Sequence, residues 1–298
     1  MTSAAAARVG TAGWMYKDWE HIVYPPPRRG FDRLGFMASL FDTNEINSTF
    51  YRIPPASMAR DWARRVAHNP RLLFTAKLYR GFTHDRNATG EDEKAVRDAM
   101  GALASAGRLG AVLVQVPMSF HATEENRSRL EGIFARFGAF PLAAEFRHFS
   151  WDTPETLRFL EDRSVGFVNI DQPRLKGNLP ATAYVTSAVA YYRFHGRNAS
   201  KWFGPDTSNE ERYDYLYREK ELAPWVERIR EGRARRPDAN AFAVMNNHFR
   251  GQAVANAIQL QQMLTGENRA VPESLAAAYP ALASVTTDPP PPRQRPLF

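Results

Sequence analysis

The chain has 298 residues, 39 Lys and Arg against 32 Asp and Glu for a formal net charge of +7, and 44% hydrophobic residues. That is enough apolar material for a sizeable core, in one barrel or two smaller domains. Cysteine is absent, which excludes disulfides, thiolate zinc sites and a thiol nucleophile.

The first residues, Met1-Thr2-Ser3 followed by alanines and Arg8, have neither the basic flank nor the apolar run of a secretory leader. The longest apolar stretch, around Leu109 to Val116, is too short to span a bilayer. A soluble cytoplasmic protein with no membrane partner is expected. Part of the positive charge has a local source. Residues 227–236 carry five arginines against two glutamates, and the tail adds Arg293 and Arg295 against Asp288. About half of the excess is therefore surface charge unrelated to a ligand, and the basicity permits an anionic partner without establishing one.

Short apolar, β-branched runs alternate with helical patterns. Strands are predicted at 9–13, 43–47, 73–77, 111–116, 142–146, 166–170, 191–195 and 241–246. Between them Leu34, Met37, Ala38 and Phe41 mark one helical face, and Leu130, Ile133, Phe134 and Phe137 another. A third comprises Ala257, Ile258, Leu260, Gln261 and Leu264. Thr123-Glu124-Glu125 and Thr153-Pro154-Glu155 read as capped first turns. The connection between strands six and seven is rich in Pro, Gly and Thr, so its helix is expected to be short or missing. Eight strand–helix units predict a single α/β domain, a (β/α)8 TIM-like barrel over residues 8–268. The competing open sheet often announces itself with a Gly-rich phosphate loop, and here strand one runs into Gly13-Trp14-Met15-Tyr16 instead. Residues 269–298, with Pro289 to Pro292 in a row, are expected to be an extended or partly disordered Pro-rich tail.

Polar residues interrupt the apolar pattern near the end of seven of the eight strands. Glu45 and Asn47 share a face, as do Thr75 and Lys77. Gln115 breaks a valine-rich run. Glu145 pairs in phase with Arg147, Asn169 with Asp171, and Arg193 with His195 and Arg197. The eighth strand ends in Asn246-Asn247-His248. Barrel strands alternate between core and helix layer, and an unpartnered charge against the helix layer costs several kcal/mol. These groups are therefore expected to point inward, toward the mouth where barrel enzymes place their chemistry. Internal ion pairs such as Glu45–Lys77 or Glu145–Arg147 are the bland alternative for any one of them.

The acid/base candidates are Glu45, Glu145 and Asp171, with His195 as a proton carrier. Substrate-binding candidates are Asn47, Tyr51, Lys77, His84, Gln115, Arg147, Arg197, Trp202, Asn246, Asn247, His248 and Arg250. No cofactor is expected. A divalent metal would draw on Glu45, Glu145, Asp171, His195 and His248, but the arginines would compete for those carboxylates. The first, second, third and seventh loops interleave aromatics with Arg and Lys, which suits sugars, phosphates and single-stranded nucleic acid. Trp14 and Tyr24 read as a cap on the barrel, and Trp202 as a ligand contact. The helix start after Asn247-His248-Phe249-Arg250-Gly251, beside Arg197, is the expected phosphate site.

At these positions the chain resembles the YecE-like family, also catalogued as domain of unknown function seventy-two. The motifs are Gly10-Thr-Ala-Gly-Trp14, Glu45-Ile-Asn47-Ser-Thr-Phe50-Tyr51, Thr75-Ala-Lys77, Thr83-His84, Glu145-Phe-Arg147, His195-Gly-Arg197 and Asn246-Asn-His248. The resemblance spans roughly residues 8–265 and implies a TIM-like barrel without implying a reaction. Three functions stay open. The leading one is an enzyme of hydrolase or isomerase type acting on a polar, anionic, phosphate- or sugar-bearing small molecule. The others are a nucleic-acid-binding or nucleic-acid-processing protein and a non-catalytic small-molecule binder.

Overall fold

Eight parallel strands close into one barrel in chain order: β1 Arg8–Ala12, β2 Thr43–Ile46, β3 Leu73–Lys77, β4 Leu109–Gln115, β5 Leu142–Glu145, β6 Val165–Asp171, β7 Val189–Phe194 and β8 Asn240–Met245. Every strand predicted from the sequence is present, with ends moved by one or two residues. The structure, a computed structural model, describes residues 7–26, 29–202 and 209–287. Closure runs through β1, which pairs with both β2 and β8.

The helices begin where side chains can hold their free N–H groups. Asp32 accepts from Gly35 N, Thr123 from Asn126 N, and Thr153 from Thr156 N ahead of Pro154. Thr89 and Asp92 form a reciprocal capping box. Each such cap stabilises by about 1 kcal/mol. No helix is described between β6 and β7, in line with the Pro/Gly/Thr composition of that connection.

Strand pairing fixes which side chains face inward, because parallel partners share a face. Ala12 pairs with Glu45, Glu45 with Thr75, Thr75 with Ala111, Gln115 with Glu145, and Ile170 with Arg193, which pairs with Val244. The interior therefore combines small side chains at Gly10, Ala12, Ala111 and Ala143 with large ones at Tyr191, Arg193 and Phe242. Gly10 has no alternative, since a Cβ there would lie 1.9 Å from the Thr43 carbonyl oxygen.

The tail departs from expectation. Residues 269–287 are folded, with a short strand pair of Arg269–Ala270 and Thr286–Thr287 and a helix at Glu273–Ala278. Leu275 and Leu282 are fully buried, Ser274 Oγ donates to the Ile22 carbonyl at 2.9 Å, and Tyr279 Oη donates to the Arg250 carbonyl at 2.7 Å. Two leucines with a place to bury outweigh the Pro-rich composition beyond them. The proline run itself lies outside the described residues.

Candidate functional site

The C-terminal strand ends surround a cavity of about 560 Å³. Its floor is a buried ion network centred on Arg193. The Arg193 guanidinium donates to Glu45 through Nε at 3.0 Å and Nη2 at 2.6 Å, and to Glu145 Oε2 through Nη1 at 3.0 Å. Arg147 Nη2 lies 2.6 Å from Glu145 Oε1, and Tyr191 Oη donates to Glu45 Oε2 at 2.7 Å. His195 sits within 3.4 Å of Glu145 and places Nδ1 3.0 Å from Asn246 Nδ2. Glu45, Glu145 and His195 are 0% exposed and Arg193 2%.

Charges this deep in low dielectric shift one another strongly. Burial alone would raise the Glu145 carboxyl, but Arg147, Arg193 and His195 outweigh it and hold it well below the usual carboxylate range. Burial would lower the Arg193 guanidinium, but Glu145 and Glu45 push it up. His195 is held well below its ordinary value by burial and then by Arg147, against the pull of Glu145, so it is neutral. Both glutamates are thus engaged by cations. At neutral pH Glu145 is too firmly ionised to donate a proton and too weak a base to take one.

Lys77 differs from its neighbours. It ends β3 on the inner face, half-buried in the cavity wall, with Nζ 4.0 Å above the Phe50 ring. Its Nζ forms no ion pair or hydrogen bond with any described residue. Burial and then the Arg193 charge lower its ammonium to about 7, against the opposing pull of Glu45 and Glu145. The wall also carries Tyr16, Asn47, Gln115, Arg147, Asn246, His248 and Tyr213. Tyr16 stacks on His248 with centroids 4.4 Å apart, and its hydroxyl donates to the Ala12 carbonyl at 2.7 Å. Asn47 Oδ1 is buried with no partner among the described residues. Tyr51 and Met15, 65% and 68% exposed, stand at the rim.

Several expected members lie elsewhere. Asn169 and Asp171 point toward the helix layer, in phase with Phe167, while Val168 and Ile170 face inward. The expectation assumed that such groups would lack partners outside the barrel, and they do not lack them. Asn169 satisfies the helix-free connection, accepting from Thr182 Oγ1 and Tyr184 N and donating to the Tyr184 carbonyl. Asp171 accepts from Trp225 Nε1 at 2.5 Å, Tyr217 Oη at 2.8 Å and Arg197 at 2.6 and 2.8 Å. Arg197 leaves the inner face because Gly196, at φ 85°, turns the chain. Asp171 and Arg197 therefore do not line the cavity.

Asn247 is buried against Asn256 and the Tyr215 carbonyl, and His84 is held by Thr83 Oγ1 at 2.8 Å and packs edge-on to Phe50. Arg250 is exposed, and its N–H donates to Asp18 at 2.5 Å. The expected phosphate site before the helix Gln252–Thr265 is thus partly taken by the chain's own carboxylate. Trp202 is buried, edge-on to His195 and Tyr213, beside a smaller cavity that shares Arg147 and Tyr213 with the main one.

The metal alternative does not fit. Among the described residues no three His, Asp or Glu side chains are placed to hold an ion. Asp171 is on the wrong side of β6, and the Glu45 and Glu145 oxygens are already engaged by guanidiniums. The residue that sequence reasoning underweighted is Arg193. Its signal was alternation: it stands between Tyr191 and His195 in phase with both.

Fold and cavity define a closed (β/α)8 barrel with a cation-floored pocket at the C-terminal strand ends. The chain belongs to the family described as "Protein of unknown function DUF72", matched over residues 8–281. It is 30% identical over 273 residues to the UPF0759 protein YunF of Bacillus subtilis (strain 168), covering 86% of this chain and 94% of that one. Solved structures that share the fold include two members of the same family. The DUF72 family protein TM1631 of Thermotoga maritima MSB8 is 33% identical with a TM-score of 0.74, over 87% of this chain and 99% of that one. The DUF72 family protein EF0366 of Enterococcus faecalis V583 is 28% identical with a TM-score of 0.75, over 87% and 95%. No helix among the described residues is long and apolar enough to cross a membrane.

Proposed function

We propose that the protein is an enzyme acting on a small anionic substrate, a phosphorylated or carboxylated sugar-like molecule, with Lys77 as the acid/base group. The observation that carries this reading is the charge of the cavity wall. Lys17, Lys77, Arg147 and Arg193 line it, and Asp18 is its one carboxylate among the described residues. Glu45 and Glu145 lie behind that surface and fix the guanidiniums in place, so the arginines offer preorganised charge without rearrangement. Asn47 Oδ1 adds an unused acceptor for a substrate hydroxyl, and Tyr51 and Met15 offer an apolar rim. An amine that titrates near neutrality suits proton transfer at physiological pH, as an isomerisation or a hydrolysis requires.

Calorimetric titration with sulfate, phosphate and a panel of sugar phosphates tests the reading, followed by assay of the binders for turnover. Binding that disappears in Arg147→Met is expected. A panel that includes phosphates and carboxylates, none of which binds below millimolar concentration, would remove the proposal.

A further inference from the structure

We propose that Lys77 is a nucleophile: its Nζ adds to the carbonyl carbon of an aldehyde- or ketone-bearing anion and carries it as a protonated imine. This deepens the proposed function and rests on it for the anion-binding cavity.

The placement of the amine carries the argument. Lys77 faces the cavity between the ends of β2 and β4, with Asn47 and Gln115 in the same wall. The two carboxylates nearest in the network are committed to Arg193, Arg147 and Tyr191, and none accepts from Lys77. Its Nζ rests 4.0 Å above the Phe50 ring, a contact that restrains it weakly and leaves its other side open to the cavity. A lysine buried only to hold structure would be expected to meet a carboxylate or carbonyl oxygen, because an unpaired buried ammonium is costly. Arg147 and Arg193 in the same wall do two things. They supply the charge that seats the anion, and they disfavour a third positive charge beside them, which leaves the amine available as a base-free nucleophile. The lowered ammonium pKa described above agrees with this.

The step balances without a further reagent. The nitrogen lone pair forms the C–N bond as the carbonyl π electrons move to oxygen, and one nitrogen proton passes to that oxygen. Protonation of the resulting hydroxyl and loss of water leave the iminium. From the ammonium form and the carbonyl compound the products are therefore the iminium and one water. The Asn47 and Gln115 amides lie in the same wall to hydrogen-bond the departing oxygen. The cavity, about 560 Å³, accommodates a chain of several carbons bearing one phosphate or carboxylate.

Reductive trapping decides it. The full chain is incubated at neutral pH with dihydroxyacetone phosphate, glyceraldehyde 3-phosphate or pyruvate, each with cyanoborohydride, and the adducts are mapped by mass spectrometry. Thermal shift with each compound is measured in parallel. Trypsin cuts after Arg71 and Arg80 and not after an alkylated lysine, so the diagnostic peptide is 72–80. At least tenfold preferential labelling of Lys77 over the other lysines by one of these probes, suppressed by excess sulfate and absent in Lys77→Arg, is expected. If the probes stabilise the protein yet Lys77 is labelled no faster than other lysines, the imine is overturned and the anion pocket stands. If none of them binds or labels, both readings fall. The wild-type peptide map gives this answer whether or not the variant folds.

Discussion

Replacing Arg193 with methionine removes the cation shared by two carboxylates that are 0% exposed. Methionine keeps most of the side-chain length, so the cavity it leaves is small and the electrostatic loss dominates. Glu145 retains Arg147 and His195, while Glu45 retains only the Tyr191 hydroxyl among the described residues of the network. Removing one partner of a buried pair costs about 3–5 kcal/mol, which for a domain of this size lowers Tm by roughly 5–15 °C. The cause leaves a signature in pH. A buried carboxylate without its cation is costly only while it is ionised, so the deficit belongs to the charged form. The deficit of Arg193→Met relative to wild type should therefore be smaller at pH 5 than at pH 8 in urea unfolding. Adding Glu45→Gln should return about 1–3 kcal/mol, an interaction term read from the double-mutant cycle. A single variant that loses less than about 1 kcal/mol, or a double variant no more stable than the single, would refute the view that Arg193 neutralises the floor.

Lys77, lowered to about 7, gains its charge as pH falls through that value; sulfate affinity by calorimetry should rise over the same interval and lose that dependence in Lys77→Met. The same depressed value makes folding favour the neutral amine, so wild-type stability should rise between pH 7 and about 10.4, the unfolded lysine value, by a slope of up to ~1.4 kcal/mol per pH unit that Lys77→Met lacks. Glu145 is held well below its ordinary value, so its contribution to stability is present above an unfolded pKa of about 4.3 and lost as pH falls through the folded one; Glu145→Gln should flatten the acid limb of an unfolding profile. Asp171→Asn weakens charge-assisted bonds to Arg197, Tyr217 and Trp225. It should cost about 2–4 kcal/mol of stability while sulfate affinity stays within about twofold by calorimetry, because the carboxylate lies outside the cavity.

The positions of the strands were legible because they are short apolar runs set apart by helical patterns or, before β7, by a Pro/Gly/Thr-rich connection. The orientation of a polar residue was legible only where one face of its strand is committed to the core by composition. Lys77 and Glu145 are flanked on both sides by apolar residues, and they face inward. In β6 Val168 and Ile170 suit either face, so alternation alone cannot assign one, and pairing with β5 and β7 turns Asn169 and Asp171 outward. Arg197 follows the strand's parity on paper, but one glycine at positive φ breaks it. Which cation would take Glu45 could not be read either. Lys77 is closer in sequence, yet Arg193 reaches across the barrel from β7 with a planar fork that serves two carboxylates at once.

The folded stretch after Asn268 changes how the rim can be altered. Ser274 grips Ile22 across 252 positions and Tyr279 grips Arg250, so the first loop, the eighth loop and the last helix make one corner beside Tyr16 and His248. A graft that moved the first loop alone onto another barrel would leave its anchor behind. Such an exchange needs the segment through Leu282 to travel with it, and substitutions made in that remote segment will register in ligand affinity although none of its side chains faces the cavity.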